Sequence, residues 1–396
     1  MLGLLAVAQV LSMSVWFSAS ASAADLARTL GLDTARIGDL SAAVQLGFVA
    51  GTAVAAVLNL ADVVPARAYF ACSALLAGAA NLALLSVEGF GAALAVRFAA
   101  GAFLAGVYPP AMKMTATWFR SGRGLAIGIV VGALTLGKAG PFLLGTLSAP
   151  DARVVIGATT AGAVLGALLV AVGYCDGPFP FERRPFSWRL AGSLARHRET
   201  RLATLGYLGH MWELYAMWTW IPAFLAASLA AHAGEEVPAG AAAALTFAAI
   251  AAGSLGCVWG GVVADRIGRE RLVRRALAAS GACALLAGLT FGKHPLIVAL
   301  VVVTWGFFVV ADSAQFSTLV TEVAPRHAVG TALTLQTSLG FLLTIATILV
   351  VPRLSAVVGW RWAFGVLALG PAFGIAAMGR LAAARAVKAG SSGGQE

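Results

Sequence analysis

The sequence predicts an all-α membrane protein with twelve transmembrane helices in two six-helix bundles. Three observations carry this. Of 396 residues, 60% are hydrophobic and 11% charged, against about 45–50% and about 25% in soluble domains. The apolar residues fall in runs of about 20, enough to span a ~30 Å hydrocarbon core as a helix, without the alternation a closed β-barrel requires. The longest connection, "CDGPFPFERRPFSWRLAGSLARHRETR" at 175–201, is basic and proline-bearing, and it divides the runs six and six.

The first-half segments lie near 2–24, 38–60, 68–86, 90–113, 124–147 and 153–174. In the first, "SASASAAD" resembles a signal-peptidase site. No basic stretch precedes the apolar run, and removing it would leave five helices against six, so we expect a retained helix. In the fourth, Arg97, Gly101, Leu104 and Tyr108 share one helical face, with Arg97 roughly 10 Å into the membrane at about 1.5 Å per residue. Lys113 lies close enough to the inner surface to snorkel. Lys138, in the fifth, is too deep to do so easily.

The second-half segments lie near 202–229, 240–263, 273–291, 295–318, 329–351 and 362–383. The seventh, "LGYLGHMWELYAMWTWIP", carries His210 and Glu213 on one face, with Trp212, Trp218, Trp220 and a helix-bending Pro222. The tenth carries a stripe of Trp305, Phe308, Asp312 and Gln315, and the eleventh Thr334, Gln336 and Thr337. The expected domains are 1–174, a linker at 175–201, 202–383, and a disordered tail at 384–396.

With the N-terminus in the cytoplasm, cytoplasmic loops and tail hold eighteen Lys and Arg against six on the other side. Both termini are therefore expected inside, in a plasma (bacterial inner) membrane. The same bias accounts for the net charge of +10 without a nucleic-acid partner. Cys72, Cys175, Cys257 and Cys283 show no ligand spacing, so neither disulfide nor metal is expected. No phosphate loop or H-E-x-x-H is present, so we expect no cofactor and no enzyme.

One short connection, "GGVVADRIGRERLVRR" at 260–275, is dense in charge. Gly268 permits a tight turn and Gly261 a close helix approach. Asp265 can face a neighbouring helix N-terminus, and Arg266 or Arg269 can reach Glu322. Such contacts would latch one conformation; the plainer reading is that the charge only fixes topology. The spacing Gly261-x-x-x-Asp265-Arg266-x-Gly268-Arg269-x-Arg271 resembles the loop signature of the major facilitator superfamily. An eroded copy, "LNLADVVPARAYF", keeps Asp62 and Arg67, and Asp62 and Asp265 stand close to half a chain apart, as two related halves require. Arg97-x-x-x-Gly101 looks like the family's fourth-helix arginine motif. "GALTLGKAGPFLLG" is similar to the Gly-Pro motif of family antiporters, one residue short and interrupted by Lys138.

The resemblance implies a monomeric secondary transporter with a small-molecule substrate. The first half holds buried cations (Arg97, Lys138), the second buried carboxylates (Glu213, Asp312) with His210. We expect the cations to receive a small organic anion and the carboxylates with His210 to carry protons, with Tyr108, Trp218, Trp305, Gln315 and Gln336 completing the site. Alternatives are salt bridging for stability alone, efflux of hydrophobic or cationic compounds, and a non-transporting sensor or scaffold.

Overall fold

The computed structural model describes residues 1–119, 123–146, 151–179, 187–233 and 240–392. Among them there is no strand. The helices are α1 Leu2–Ala21, α2 Thr34–Val57, α3 Ala66–Ala83, α4 Phe90–Ala116, α5 Arg123–Leu144, α6 Ala152–Gly173, α7 Arg198–Ala233, α8 Ala241–Ile267, α9 Arg269–Thr290, α10 Pro295–Val323, α11 Val329–Ala363 and α12 Leu369–Ser392. Among the described residues ten spans are long and apolar enough to cross a membrane. One of these covers both α11 and α12, which separate where Gly359 leaves helical geometry at φ 75°, and α3 completes the twelve. α1 is a full member of its bundle, packed on α5 and α6 with Leu5 and Ala8 buried.

The two halves repeat one packing device. α2 crosses α4 where a Cβ on Gly47 or Gly51 would stand 2.0 or 2.3 Å from backbone oxygens of Phe98 or Ala102. α8 crosses α10 in the same way, with Gly256 on Phe307 O and Gly260 on Ala311 O at 2.2 and 1.9 Å. Only glycine allows helix backbones this close, and such contact replaces the hydrophobic drive that lipid removes. Gly260, next to Gly261, is one of the residues that make this tight approach.

The halves meet along two seams. α5 lies on α8 from Gly128 against Cys257 to Thr146 against Gly240, and α2 lies on α11 with Phe48 and Phe341 at 4.5 Å between ring centroids. Near the N-terminal end of α2, Trp220 of α7 packs on Gly38, where a Cβ would meet the ring at 2.6 Å. Its Nε1 donates to Ile348 O at 2.8 Å. That carbonyl lacks its usual helical donor because residue 352, four positions on, is proline.

Three expectations need correction. The charged connection is not a loop from 264 to 275: α8 runs to Ile267 and α9 starts at Arg269, turning on Gly268 alone (φ 88°). The linker contains a helix, Trp188–Arg196, and ends where α7 begins at Arg198. The tail expected to be disordered is helical from 384 to Ser392, because Ala, Arg, Val and Lys extend a helix readily; 393–396 lie outside the described residues. In the eroded first loop the turn moves to Asn59 (φ 50°), with Pro65 opening α3.

Candidate functional site

α1 changes from α to 3-10 geometry over Ser14–Phe17. Ser14 and Ser18 promote this by bonding back to Leu11 O and Val15 O at 2.7 and 3.0 Å. Arg97 meets the changed backbone: Nη2 donates to Trp16 O at 2.6 Å, and Nη1 to Val15 O and Ser18 Oγ, both at 3.3 Å. Asn81 continues the network to Thr159 and Thr160 of α6 at 3.0 and 3.1 Å. Backbone carbonyls in lipid must find donors, and Arg97 supplies them. It lies outside the cavity lining, so its role is to fix α1 and the direction in which Trp16 projects.

Between the halves lies a cavity of about 60 Å³, lined from α1, α2, α4, α5, α7, α10 and α11. Among the described residues Lys138 is the one charged residue in its wall. The ammonium donates to the Tyr215 hydroxyl and sits 3.8, 4.4 and 5.4 Å from the ring centroids of Trp16, Tyr215 and Trp218. Each such face attracts a cation by roughly 0.5–2 kcal/mol. Among the described residues no carboxylate pairs with Lys138. Lys138 and Trp16 belong to the first half and Tyr215 and Trp218 to the second, so the cage closes only when the halves meet. Tyr108 reaches the wall because α4 breaks after Leu104 and resumes at Tyr108, followed by Pro109 and Pro110.

The second-half carboxylates are arranged differently from the expectation. Glu213 turns into its own bundle, accepting from Trp305 Nε1 at 2.6 Å and Ser280 Oγ at 2.8 Å. It knits α7, α9 and α10 as Arg97 knits α1, α3, α4 and α6. Trp305 is likewise buried against Phe364, away from the cavity. His210 does not pair with Glu213: its Nδ1 lies 2.9 Å from Asp312 Oδ1. Asp312 sits where α10 breaks between Ala311 and Ser313, and Ser313 and Tyr207, close to the pair in sequence, line the cavity. Among the described residues His210 Nε2 and both carboxylate oxygens of Asp312 have no hydrogen-bond partner, so the two groups approach closely without an aligned hydrogen bond.

Gln315 leaves the substrate stripe. Its Oε1 accepts from Arg269 Nη1 at 2.8 Å, while Arg269 Nε donates to Glu322 at 2.7 Å. Arg385 joins, bridging Glu270 at 2.5 Å and Glu322 at 3.4 Å. Asp265 lies 3.6 Å from Arg269 and is mostly exposed, as is Arg266. These contacts fasten α9, α10 and α12 to one another within a single half. The expected reach of Arg269 to Glu322 is thus made. The side chain of Asp62 lies outside the described residues. Gln336 is buried beside the lining Thr337, its Nε2 without a partner among the described residues.

The wall residues we did not foresee are Trp16, Phe48, Tyr207, Tyr215, Phe341, Ser313 and Ser317. A signal existed for some: Tyr207, Met211, Leu214 and Trp218 follow i, i+4, i+7, i+11 on one face of α7.

A family model described as Major Facilitator Superfamily matches residues 5–348. No curated protein matches by sequence. Among solved structures, the chain resembles a bacterial homolog of the human lysosomal transporter Spinster in an inward-facing and occupied conformation, with TM-score 0.71 and 15% identity over 96% of each chain. The unoccupied form of that protein gives 0.70, at 15% identity and the same coverage of 96% on each side. The nucleoside transporter NupG, in a single-substitution form, gives TM-score 0.72 and 15% identity over 96% of this chain and 99% of that one. Likeness at this identity concerns the fold. The family match, the twelve helices and the central cavity between two halves together make this chain an integral multi-pass membrane protein that belongs to the major facilitator superfamily.

Proposed function

We propose that this protein is a secondary transporter that moves a small organic anion together with protons by alternating access. The two halves rock about the central cavity, opening it to each side in turn. The observation that carries this reading is Lys138: a buried cation in the cavity wall, held by rings from both halves and paired with no carboxylate among the described residues. A cation left without a counter-charge in a low-dielectric site attracts an anion strongly. Its cage must part when the halves separate, which ties ligand binding to the conformational cycle.

His210 and Asp312 serve as the proton carrier. The pair bridges α7 and α10 beside the cavity, with His210 Nε2 and both Asp312 oxygens lacking a hydrogen-bond partner among the described residues. A bound anion favours the protonated pair, and by linkage the protonated pair favours the anion. The working unit is a monomer, and the Lys and Arg distribution supports a reading with both termini in the cytoplasm. Efflux of cations draws less support, since neither Glu213 nor Asp312 lines the cavity.

The test is uptake and counterflow in proteoliposomes holding the purified chain, with organic anions, neutral compounds and cations, with and without a pH gradient. Accumulation of an anion that responds to the gradient is the expected result. Accumulation of cations alone would replace this reading with efflux, and no movement of any compound would favour a sensor or scaffold.

A further inference from the structure

Lys138 is not alone in seeking a ligand. Trp218, 1% exposed, stands in the cavity wall, and its Nε1–H has no acceptor among the described residues. An indole nitrogen only donates, and a buried donor left unmet is disfavoured. The two groups are neighbours, with Lys138 Nζ 5.4 Å from the Trp218 ring centroid. They present a cation and a neutral donor to the same space, as one carboxylate requires.

We propose that the cavity's ligand is a flat, ring-bearing monocarboxylate, its carboxylate held by Lys138 Nζ and Trp218 Nε1 and its ring among Trp16, Phe48 and Phe341. This rests on the organic-anion reading above and narrows it. The number of charges follows from the wall, in which Lys138 is the one charged residue among the described residues. A monoanion cancels it; a dianion brings a second charge that nothing in the wall balances. The shape follows from the rings. Trp16 lies 5.2 Å from Phe48 and 5.9 Å from Phe341, and the two phenylalanines lie 4.5 Å apart, all at tilted angles. A flat unsaturated body stacks or meets edges with such rings better than a saturated one of equal size. Ser313, Ser317 and Thr337 add hydroxyls that can bond a polar substituent.

The probe is labelled benzoate, exchanged by counterflow in proteoliposomes of the full chain at neutral pH. Competitors are phthalate (the same ring with a second carboxylate), cyclohexanecarboxylate (the same charge without the flat ring) and succinate. Benzoate should exchange, phthalate and succinate should compete at least about tenfold more weakly, and cyclohexanecarboxylate about fivefold more weakly. Trp218→Phe, which keeps a ring and removes the N–H, should weaken benzoate about tenfold. Trp16→Leu should abolish the preference over cyclohexanecarboxylate while leaving exchange measurable. Competition by phthalate or succinate equal to benzoate would overturn the monoanion assignment while organic-anion transport stands. Equal competition by cyclohexanecarboxylate would overturn the ring requirement. If benzoate and every other anion fail to exchange while the protein is folded, the anion reading falls and this assignment with it.

Discussion

His210 Nδ1 lies 2.9 Å from Asp312 Oδ1, joining α7 to the break in α10, while Glu213, one turn along from His210, turns its carboxylate away into Ser280 and Trp305. Two carboxylates that look equivalent in sequence therefore have different surroundings. Glu213 has its acceptor capacity used by two donors in its own bundle. Asp312 faces an imidazole, and neither of its oxygens accepts a hydrogen bond among the described residues.

Asp312→Asn should abolish accumulation driven by a pH gradient while substrate counterflow stays within about threefold of wild type, because the amide cannot exchange a proton and coupling alone is lost. Glu213→Gln should retain both activities, since a carboxamide still accepts from Trp305. Measuring both assays on both variants checks this. Loss of pH-driven accumulation in Glu213→Gln with retention in Asp312→Asn would reverse the assignment.

Gly38→Val tests the outer seal. The added Cβ meets the Trp220 ring, and Trp220 is held by its bond to Ile348 O, so the ring has little freedom to yield. Overpacking of this kind costs about 1–3 kcal/mol, enough to shift a two-state balance roughly 5- to 150-fold. The state closed on the outside should lose population. Labelling of single cysteines placed around the outer cavity should rise, with transport falling and expression unchanged.

Arg97→Leu removes the donors to Val15 O and Trp16 O. Each buried acceptor left unmet costs about 1–3 kcal/mol, so the melting temperature in detergent should fall sharply. Lysine at 97 should restore only part of it, because a single ammonium does not present the guanidinium fork. Substrate affinity measured on the folded fraction should change little if Arg97 acts through the backbone of α1.

Arg269→Ala removes bonds to Glu322 and Gln315 at once. Both ends of the ion pair are partly exposed, so each pair contributes about 0.2–1 kcal/mol. Because the contacts stay within one half, a modest loss of thermal stability is expected, with no change in accessibility between the two sides. A marked shift toward one side would make these contacts a latch on one conformation.

Much of this molecule is legible in the sequence because helical membrane proteins expose their plan in hydropathy. Run length, the basic connection at 175–201 and the near-half-chain spacing of Asp62 and Asp265 are local counts, and they give the twelve helices and two halves. The depth of Lys138 is also a count, and the residue stands in the cavity wall. Direction of side chains is not a count. Arg97 and Lys138 look alike as buried cations, yet Arg97 is consumed by carbonyls that become available only because α1 tightens at Ser14–Phe17. His210 and Glu213 share a face by helical spacing, but the break at Asp312 brings a partner from α10 that no local rule reveals. Trp16 and Phe341 meet at 5.9 Å from opposite halves, a contact that exists only once the bundles are docked.

The most direct test of the account is uptake of organic anions into proteoliposomes under an imposed pH gradient, comparing wild type with Lys138→Gln in the same preparation. Wild type should accumulate at least one organic anion above its equilibrium distribution. Lys138→Gln, folded and inserted to the same level, should lose at least about tenfold in apparent affinity for it, as expected when a buried charge loses its partner. Equal accumulation by the two proteins would contradict the claim that Lys138 receives the substrate's charge.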